Sequence, residues 1–244
     1  MARKRIDVLL VERGLFESRS QARQAIEAGG VAVGGVPVSK PSEQVEEAAV
    51  IAAVPAHSWV GRGALKLAHA FEQWAVTPEA KVVLDIGAST GGFTEVCLTG
   101  GALRVFAVDV GRGQLHPALA SDPRVVNLEG VDARRLDREL IDDTPALIVC
   151  DASFIGLEKV LPAALALATP GADLIALVKP QFQLGPGRVG KGGIVRGEAD
   201  RREAVDGVCA FLQAVGWKVQ ATAQSPVSGA DGNIEFLLWA TKPL

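Results

Sequence analysis

The stretch Val82–Phe93 constrains the fold of this chain more than any other. An apolar, β-branched run reaches Asp85 and then turns through Gly87, Gly91 and Gly92. Such a continuous apolar run is typical of a parallel strand that is buried on both faces. Glycines at its carboxyl end let a ligand approach the backbone, because a Cβ atom there would block it. The stretch therefore predicts a strand, a tight turn and a helix N-terminus that together form a cofactor site.

The glycine spacing leaves two cofactors open. A dinucleotide fingerprint, G-x-G-x-x-G, has a glycine where this chain has Ser89. The order from Asp85 to Gly91, D-x-G-x-x-x-G, instead resembles motif I of S-adenosylmethionine-dependent methyltransferases. The next predicted strand, 104–109, ends in Asp109, where the ribose hydroxyls of either cofactor would lie. An ordinary glycine-rich turn that binds no cofactor also fits this residue pattern.

The composition is that of a water-soluble protein with one large core and room for a small accessory domain. Of the 244 residues, 48% are hydrophobic and 22% are charged. The N-terminus lacks the apolar core of a signal peptide, and the longest uncharged apolar stretch, 160–172, contains prolines and is too short to span a bilayer. The three cysteines are far apart and form no C-x-x-C pair. We therefore expect a cytoplasmic protein without a membrane partner, a disulfide framework or a bound metal.

Positive charge is concentrated at the N-terminus. The chain as a whole has a net charge of −3, whereas residues 1–23 hold six basic and three acidic residues. The basic residues are Arg3, Lys4, Arg5, Arg13, Arg19 and Arg23. A basic end on an acidic body favours a module that binds a polyanion, because phosphate contacts depend on local charge. The charge alone fits a solvated helix face equally well.

The beginning of the chain has a pattern of its own. Ile6 begins a short amphipathic helix that ends at Gly14, and Ser18 is placed to cap a second helix. Two short strands then flank the turn residues Gly34 and Gly35, as in a hairpin. This order of two helices and a hairpin resembles the S4 RNA-binding domain, a small α+β module.

The S4 resemblance implies an RNA-binding surface and a domain boundary. In that family the basic residues of the second helix face RNA, which here are Arg19 and Arg23. The remaining basic residues that we assign to RNA in this domain are Arg3, Lys4, Arg5 and Lys40. Turn residues follow, so we predict an S4-like domain over 1–56, a linker over 57–60 and a second domain over 61–244.

Four charged residues stand at or near the ends of predicted core elements in the second domain. Lys66 opens a helix before the first strand, Asp151 and Lys179 end two later apolar strands, and Glu235 lies inside the predicted strand 234–239. A doubly wound sheet would bring these positions to one face. Because buried charges are costly unless they are paired, the pattern points to a functional site. A buried ion-pair network without a catalytic role is the alternative.

Lys66, Asp151, Lys179 and Glu235 match, in order and setting, the K-D-K-E tetrad of FtsJ/RrmJ-type RNA 2′-O-methyltransferases. With the S4-like module in front, the chain resembles the TlyA family of bacterial ribosomal-RNA 2′-O-methyltransferases, whose members are often called haemolysin A. The resemblance implies an α/β fold, in which a Rossmann-like S-adenosylmethionine-dependent methyltransferase domain follows the S4 domain. It also implies ribosomal RNA or ribosomal subunits as partners.

The same resemblance implies where the cofactor lies. Two acids would hold its nucleoside, Asp109 at the ribose and Asp132 near the adenine. A helix-capping role for Asp132 is an alternative. The residues that would surround the rest of S-adenosylmethionine are Asp85, Gly87, Ser89, Gly91 and Gly92.

Methyl transfer to a 2′-hydroxyl requires alignment of the reacting atoms and a way to remove the proton. Lys179 is the candidate base, and in its charged form it would stabilise the developing oxyanion instead. Basic residues near this site, Arg62 and the glycine-rich loop residues Arg188 and Lys191, are assigned to RNA phosphates. A mobile surface loop is the alternative for the 183–193 segment.

Four other functions are weighed against ribose methylation. Asp151-Ala152-Ser153-Phe154 loosely resembles the D-P-P-[YF] motif of amino-group methyltransferases, although both prolines are missing. A C5-cytosine mechanism needs a cysteine nucleophile, and Cys150 lies inside a predicted strand with its side chain pointing away from that of Asp151. A non-catalytic RNA-binding or assembly factor would need only the S4-like module. Membrane lysis has no support in the sequence.

Overall fold

The computed structural model describes residues 3–55, 59–190, 192–229 and 231–244. The chain divides into two compact units, one over 1–58 and one that begins at Trp59. Each unit has its own hydrophobic core. Trp59 and Val60, which the sequence analysis places in a linker, pack against the core of the second unit because both are large apolar residues.

The first unit contains the two predicted helices and the predicted hairpin, together with three further short strands. Its elements are β1 (Arg3–Arg5), α1 (Ile6–Glu12), α2 (Arg19–Glu27), β2 (Val31–Val33), β3 (Val36–Pro37), β4 (Gln44–Glu46) and β5 (Ile51–Ala53). Ser18 caps α2, since its side chain accepts a hydrogen bond from Gln21 N at 3.3 Å. β1 pairs with β4, and β2 pairs with both β3 and β5, all antiparallel. The α+β module is therefore built as expected.

The second unit is a layered α/β structure. Its strands are β6 (Val82–Ile86), β7 (Arg104–Asp109), β8 (Val125–Glu129), β9 (Leu147–Cys150), β10 (Asp173–Val178), β11 (Lys218–Gln224) and β12 (Phe236–Thr241). Its α-helices are α3 (Gly63–Gln73), α4 (Gly92–Thr99), α5 (Pro117–Ala120), α6 (Leu157–Val160), α7 (Pro162–Leu167), α8 (Pro180–Gln183) and α9 (Glu198–Ala214). Short 3₁₀ turns occur at Ala133–Arg135 and Pro186–Arg188. Within the described residues the strands form one sheet in the order β11-β12-β10-β9-β6-β7-β8.

Helices cover both faces of this sheet. Leu84 and Ile86 of β6 pack on one side, in the cluster that includes α6, α7 and α9. Val83, their neighbour in the strand, packs on the other side with α3 and α4. Because successive side chains of a strand point to opposite faces, a strand buried on both faces must be apolar throughout. The doubly wound, Rossmann-like fold predicted from the apolar runs is thus confirmed.

The prediction that Glu235 lies inside a strand was wrong. β12 begins at Phe236, so Glu235 immediately precedes it. β12 runs antiparallel to β10, and Phe236 pairs with Val178, the last residue of β10. The start of β12 therefore lies at the same sheet edge as the carboxyl ends of the parallel strands. This reversal places Glu235 beside Lys179 rather than within the core.

Candidate active site

Four charged side chains meet at the carboxyl edge of the central strands. Lys66 Nζ lies 2.6 Å from Glu235 Oε2 and 3.9 Å from Asp151 Oδ2. Lys179 Nζ lies 2.6 Å from Asp151 Oδ1. The structure therefore joins the four predicted catalytic residues into one chain of contacts, with Asp151 between the two lysines.

Each member of this tetrad is brought in by a different element. Lys66 is on α3, and Asp151 and Lys179 follow the last residues of the neighbouring parallel strands β9 and β10. α3 approaches closely because Gly63 has no side chain, and a Cβ atom there would lie 3.2 Å from Asp151 Oδ2. The site therefore depends on the packing of α3 against the sheet edge.

The tetrad is buried and electrically balanced. Lys66, Lys179 and Glu235 are buried, and the Asp151 side chain is 19% exposed. Two ammonium groups face two carboxylates, so each buried charge has an opposite charge in contact. Burying an ion is costly unless it is paired in this way. Removal of one member would leave its neighbour as an unpaired buried charge.

Lys179 is held by oxygen atoms on several sides. Its Nζ donates to the backbone oxygen of Asp151 at 3.0 Å and to Ser153 Oγ at 2.8 Å, in addition to the contact with Asp151 Oδ1. Two hydrogen bonds and one ion-pair contact thus surround the ammonium group. Ser153 was not assigned to the site from the sequence. Its position two residues after the acid that ends β9 was the available signal.

A cleft of about 550 Å³ opens beside the tetrad. Its lining includes Gly87, Ser89, Asp109, Asp132 and Asp151, among the residues predicted from the sequence. Ser153 and Gln114 also line it, and neither was predicted. The cleft lies outside the carboxyl ends of β6, β7 and β9, where ligands bind in doubly wound sheets.

The turn after β6 is shaped by glycines, as predicted. Gly87 has φ of 80°, and a Cβ atom there would lie 2.9 Å from the backbone nitrogen of Ala152. Gly91, the N-cap of α4, has φ of 96°. Ser89 also takes the left-handed conformation, with φ of 47°. Residues other than glycine rarely adopt this backbone conformation. Because the glycines carry no side chain, the turn leaves its backbone exposed along the cleft.

Asp109 connects two of the turns that line the cleft. Its Oδ2 accepts a hydrogen bond from Ser89 N at 2.9 Å, and its Oδ1 accepts one from Gly111 N at 2.8 Å. Ser89 Oγ in turn donates to Gln114 Oε1 at 3.2 Å. The carboxylate predicted to bind the ribose thus also ties the turn after β6 to the turn after β7.

Asp85 lies beneath the turn and is fully buried. Its Oδ2 accepts a hydrogen bond from Thr94 Oγ1 at 2.7 Å, whereas its Oδ1 has no hydrogen-bond partner among the described residues. Burial raises the pKa of Asp85 to about 7, against the opposing effect of the Thr94 hydrogen bond. An orphaned buried carboxylate oxygen, a glycine cradle and a lined cleft together fit S-adenosylmethionine.

Asp132 lies at the cleft and at the start of a 3₁₀ turn. It lines the cleft, and its side chain also caps the following 3₁₀ turn by accepting from Arg134 N at 3.0 Å. Arg134 Nη2 lies 2.6 Å from Asp132 Oδ2, and this side-chain hydrogen bond lowers the pKa of Asp132 to about 2. The carboxylate is therefore charged, and hydrogen bonds from Arg134 use part of its capacity to accept.

Two features bear on the competing reactions. Cys150 is fully buried in β9, and burial raises the pKa of its thiol to about 12, which is unsuited to a cysteine nucleophile. Phe154 is 89% exposed at the cleft, with φ of 65° and its ring 5.1 Å from that of Phe182. A bulky residue in this conformation is uncommon and strained.

The predicted RNA-binding residues fall into several groups. Arg3, Arg23 and Lys40 are exposed on the first unit, and Arg62 is half-buried at the N-cap of α3. Lys191 lies outside the described residues.

The other predicted RNA-binding residues form ion pairs. Lys4 contacts Glu12 at 2.7 Å and Glu47 at 3.3 Å. Arg5 and Arg19 both contact Asp7. Arg188, which the sequence places in a loop over RNA, contacts Asp200 and Glu203 of α9.

Comparisons with known proteins agree with this arrangement. The family model described as FtsJ-like methyltransferase matches residues 59–242, and the S4 domain model matches residues 4–51. The 16S/23S rRNA (cytidine-2′-O)-methyltransferase TlyA of Mycobacterium tuberculosis is 46% identical over 98% of this chain and 90% of its own length. Hemolysin A of Brachyspira hyodysenteriae is 38% identical over 96% of this chain and 98% of its own length.

A solved structure supports the same assignment. A protein described as a hemolysin from Streptococcus thermophilus superposes with a TM-score of 0.79 at 38% identity, covering 100% of this chain and 90% of that one. Of the helices that the structure describes, none is long and apolar enough to cross a bilayer. The second unit is a methyltransferase domain whose cofactor is S-adenosylmethionine. The chain therefore belongs to the TlyA family, in which an S4 domain precedes an FtsJ-like methyltransferase domain.

Proposed function

We propose that this protein transfers a methyl group from S-adenosylmethionine to a ribose 2′-hydroxyl of ribosomal RNA. The observation that carries the proposal is the buried tetrad, in which Lys179 Nζ lies 2.6 Å from Asp151 Oδ1 at the wall of the cofactor cleft. The M. tuberculosis relative is named for 2′-O-methylation of cytidine in 16S and 23S rRNA. With 46% identity over 98% of the chain, we take a cytidine ribose as the acceptor here as well.

The side chains of the tetrad provide what the reaction asks of the protein. When bound, S-adenosylmethionine supplies an electrophilic methyl group on a sulfonium centre. The residues of the chain must orient the 2′-hydroxyl and handle its proton. Lys179 is placed for this step, because Asp151 and Ser153, which line the cleft, hold its Nζ. As an amine it takes the proton from the attacking hydroxyl, and as an ammonium group it stabilises the developing oxyanion.

A pH–rate profile separates these two roles of Lys179. A base must be deprotonated, so the rate would rise with pH up to the pKa of the group that accepts the proton. An ammonium group must stay protonated, so the rate would fall as that proton is lost. Behind Lys179, Lys66 Nζ lies 3.9 Å from Asp151 Oδ2 and helps to balance its charge. Glu235 Oε2, 2.6 Å from Lys66 Nζ, balances Lys66.

The tetrad favours ribose over base amino groups as the acceptor. An amino-group methyltransferase needs an acceptor oxygen that orients the exocyclic amine. Here Asp151 is engaged by Lys179 through both a side-chain and a backbone oxygen. A buried cluster of two lysines and two acids suits proton handling at a hydroxyl. Phe154 provides an aromatic face at the cleft on which a nucleobase could stack.

The direct test is methylation of unmethylated ribosomal subunits with methyl-labelled S-adenosylmethionine, followed by nucleoside analysis of the RNA. We compare wild-type protein with Lys179→Ala, and use Lys218→Ala as a matched control. Lys218 pairs with Thr241, which pairs with Asp173 at the start of β10, so it lies at the sheet edge opposite the tetrad. Cofactor binding by each variant is measured separately by calorimetry.

We expect label on a 2′-O-methyl nucleoside with wild-type protein and with Lys218→Ala. Lys179→Ala should bind the cofactor and lose activity by about a hundredfold or more, as removal of a general acid–base group usually does. Label on a base, surviving in Lys179→Ala, would contradict ribose methylation. Cofactor binding without label in any subunit would favour a non-catalytic RNA-binding factor.

A further inference from the structure

Two arginine side chains of the first unit are arranged around a fully buried carboxylate. The Asp7 side chain is 0% exposed. Arg5 donates to it from Nε and Nη2, to Oδ1 at 2.9 Å and to Oδ2 at 3.0 Å. Arg19 Nη2 donates to the same Oδ2 at 2.8 Å. The carboxylate therefore binds one arginine through both oxygens and shares one of them with a second arginine.

Both arginines keep a large exposed surface. The side chains of Arg5 and Arg19 are 42% and 57% exposed. Within the described part of the chain, Nη1 of either residue makes no hydrogen bond. Donors thus remain for a ligand on each guanidinium group. Arginine presents these donors in a rigid fork that matches phosphate geometry.

Other basic residues that the structure describes in the first unit do not share a buried carboxylate. Lys4 lies between Glu12 and Glu47, both partly exposed acids. Arg13 donates to backbone carbonyl oxygens. Neither Lys4 nor Arg13 thus shares one buried anion with a second cation. Two like charges held at one carboxylate would repel each other without it, so Asp7 keeps the two guanidinium groups together.

Stability alone does not account for a buried acid at this position. Buried ion pairs are often replaceable by apolar residues of similar volume without loss of stability. What an apolar residue could not do is fix the direction of two arginine side chains that come from different elements. Arg5 ends β1 and Arg19 begins α2, while Asp7 lies in α1 between them.

We propose that Asp7 is a positioning residue for RNA, holding Arg5 and Arg19 as a preorganised pair that binds a backbone phosphate of the ribosomal RNA. The proposal rests on the proposed function, since it assigns part of the substrate contact to the S4 domain. Preorganisation strengthens binding because less side-chain freedom is lost when the phosphate is bound. Asp7 itself does not touch the RNA.

The carboxylate is charged at every pH at which the enzyme would be assayed. The hydrogen bonds from Arg5, and then that from Arg19, lower the pKa of Asp7 to about 2. The triad therefore carries one negative and two positive charges under these conditions. Its net positive charge is available for a phosphate.

Replacement of Asp7 by asparagine separates positioning from simple electrostatics. The change removes a negative charge, so electrostatic attraction alone predicts tighter RNA binding. Loss of positioning predicts weaker binding. The matched control is Glu27→Gln, which makes the same change of charge at an exposed residue of α2. Binding to unmethylated ribosomal subunits and the KM for these subunits are measured for both variants.

We expect Asp7→Asn to raise the KM for subunits by roughly fivefold to tenfold, with kcat at saturating subunits and the affinity for S-adenosylmethionine unchanged. Glu27→Gln should leave KM the same or lower it slightly. In an Arg5→Ala/Arg19→Ala background, Asp7→Asn should have no further weakening effect, because the groups that it positions are gone.

Several results would overturn the proposal. Tighter binding by Asp7→Asn would show that only the charge matters. Weaker binding that persists in the double-arginine background, or that accompanies unfolding of the first unit by circular dichroism, would assign Asp7 to the fold. If the wild-type protein neither binds nor methylates the subunits, the proposed function itself fails, which is distinct from failure of the Asp7 comparison.

Discussion

At the scale of single residues, the two buried acids Asp7 and Asp85 differ in what surrounds them. Asp7 is held by two arginines, which lower its pKa to about 2. Asp85 has a hydroxyl hydrogen bond on one oxygen and no hydrogen bond from the described residues on the other, and burial raises its pKa to about 7. The pKa values of the two acids shift in opposite directions because burial raises both, and only at Asp7 do hydrogen bonds from cations outweigh that effect.

Asp85 predicts a specific pH dependence of stability. Its folded pKa is above its unfolded value of 3.8, so the folded protein binds more protons between about pH 4 and pH 7. Stability due to this residue is present below pH 4 and is lost as pH rises through about 7. Asp85→Asn should lack this loss. We expect the difference in free energy of unfolding between the variant and wild type to change by a few kcal/mol from pH 5 to pH 8.

The measurement is denaturant unfolding of the second unit in both proteins, without S-adenosylmethionine. Asparagine keeps a side-chain oxygen that can accept from Thr94 Oγ1, so the main change is the loss of the titrating proton. Two curves that stay parallel from pH 5 to pH 8 would show that Asp85 is not protonated in the folded state near neutrality.

At the scale of secondary-structure elements, the turn between β6 and α4 is predicted to control cofactor binding. Gly87 leaves β6 with φ of 80°, and its Cα lies against the backbone of Ala152 after β9. The backbone that follows β6 therefore packs directly against the backbone that follows β9. A side chain there meets backbone, which cannot move aside as a flexible side chain would.

Gly87→Ala should destabilise the second unit and abolish cofactor binding. The added Cβ would lie 2.9 Å from Ala152 N, and alanine is disfavoured at this φ. Gly113→Ala is the control, because Gly113 has φ of 66° and nothing within 4 Å of an added Cβ. We expect the control to lose about 1 kcal/mol from backbone strain, and Gly87→Ala to lose several times more.

Calorimetric titration with S-adenosylmethionine and thermal unfolding test this prediction together. Equal losses of stability in the two variants would mean that the positive φ, rather than the contact with Ala152, limits this position. Normal cofactor binding by Gly87→Ala would remove the turn from the cofactor site.

At the scale of the whole molecule, the chain contains two units with separate cores. The core of the first unit is built from residues such as Ile6, Leu10 and Ile26. The second unit has an apolar cluster on each face of its sheet. The net charge of −3 hides the basic segment at the start of the chain. Cofactor binding is thus assigned to the second unit, and part of the RNA contact to the first.

A fragment that begins at Trp59 should separate these two activities. Because the cofactor cleft and the tetrad lie within the second unit, the fragment should bind S-adenosylmethionine within about twofold of the full chain. Its KM for ribosomal subunits should rise, and the dependence of log KM on log salt concentration should become shallower, because phosphate contacts are lost. An unchanged KM and salt slope would show that the first unit does not contribute to substrate binding.

The sequence by itself determined the order of the domains and the chemistry of the site. Continuous apolar runs located the parallel strands, and glycine spacing located the cofactor turn, because both depend on neighbouring residues. Charged residues at or near the ends of the predicted elements led to the prediction that Lys66, Asp151 and Lys179 form a functional group. The fourth member, Glu235, was also identified, but was placed inside a strand instead of before it.

Only the tertiary structure decided which charges meet. Lys66 and Glu235 are 169 residues apart and lie 2.6 Å from each other because β12 reverses direction beside β10. The burial of Asp7 between two arginines depends in the same way on the packing of α1 and α2. Local sequence patterns fix the direction and exposure of a side chain only within one element. Partners that come from different elements are set by sheet order and helix packing, which local patterns do not encode.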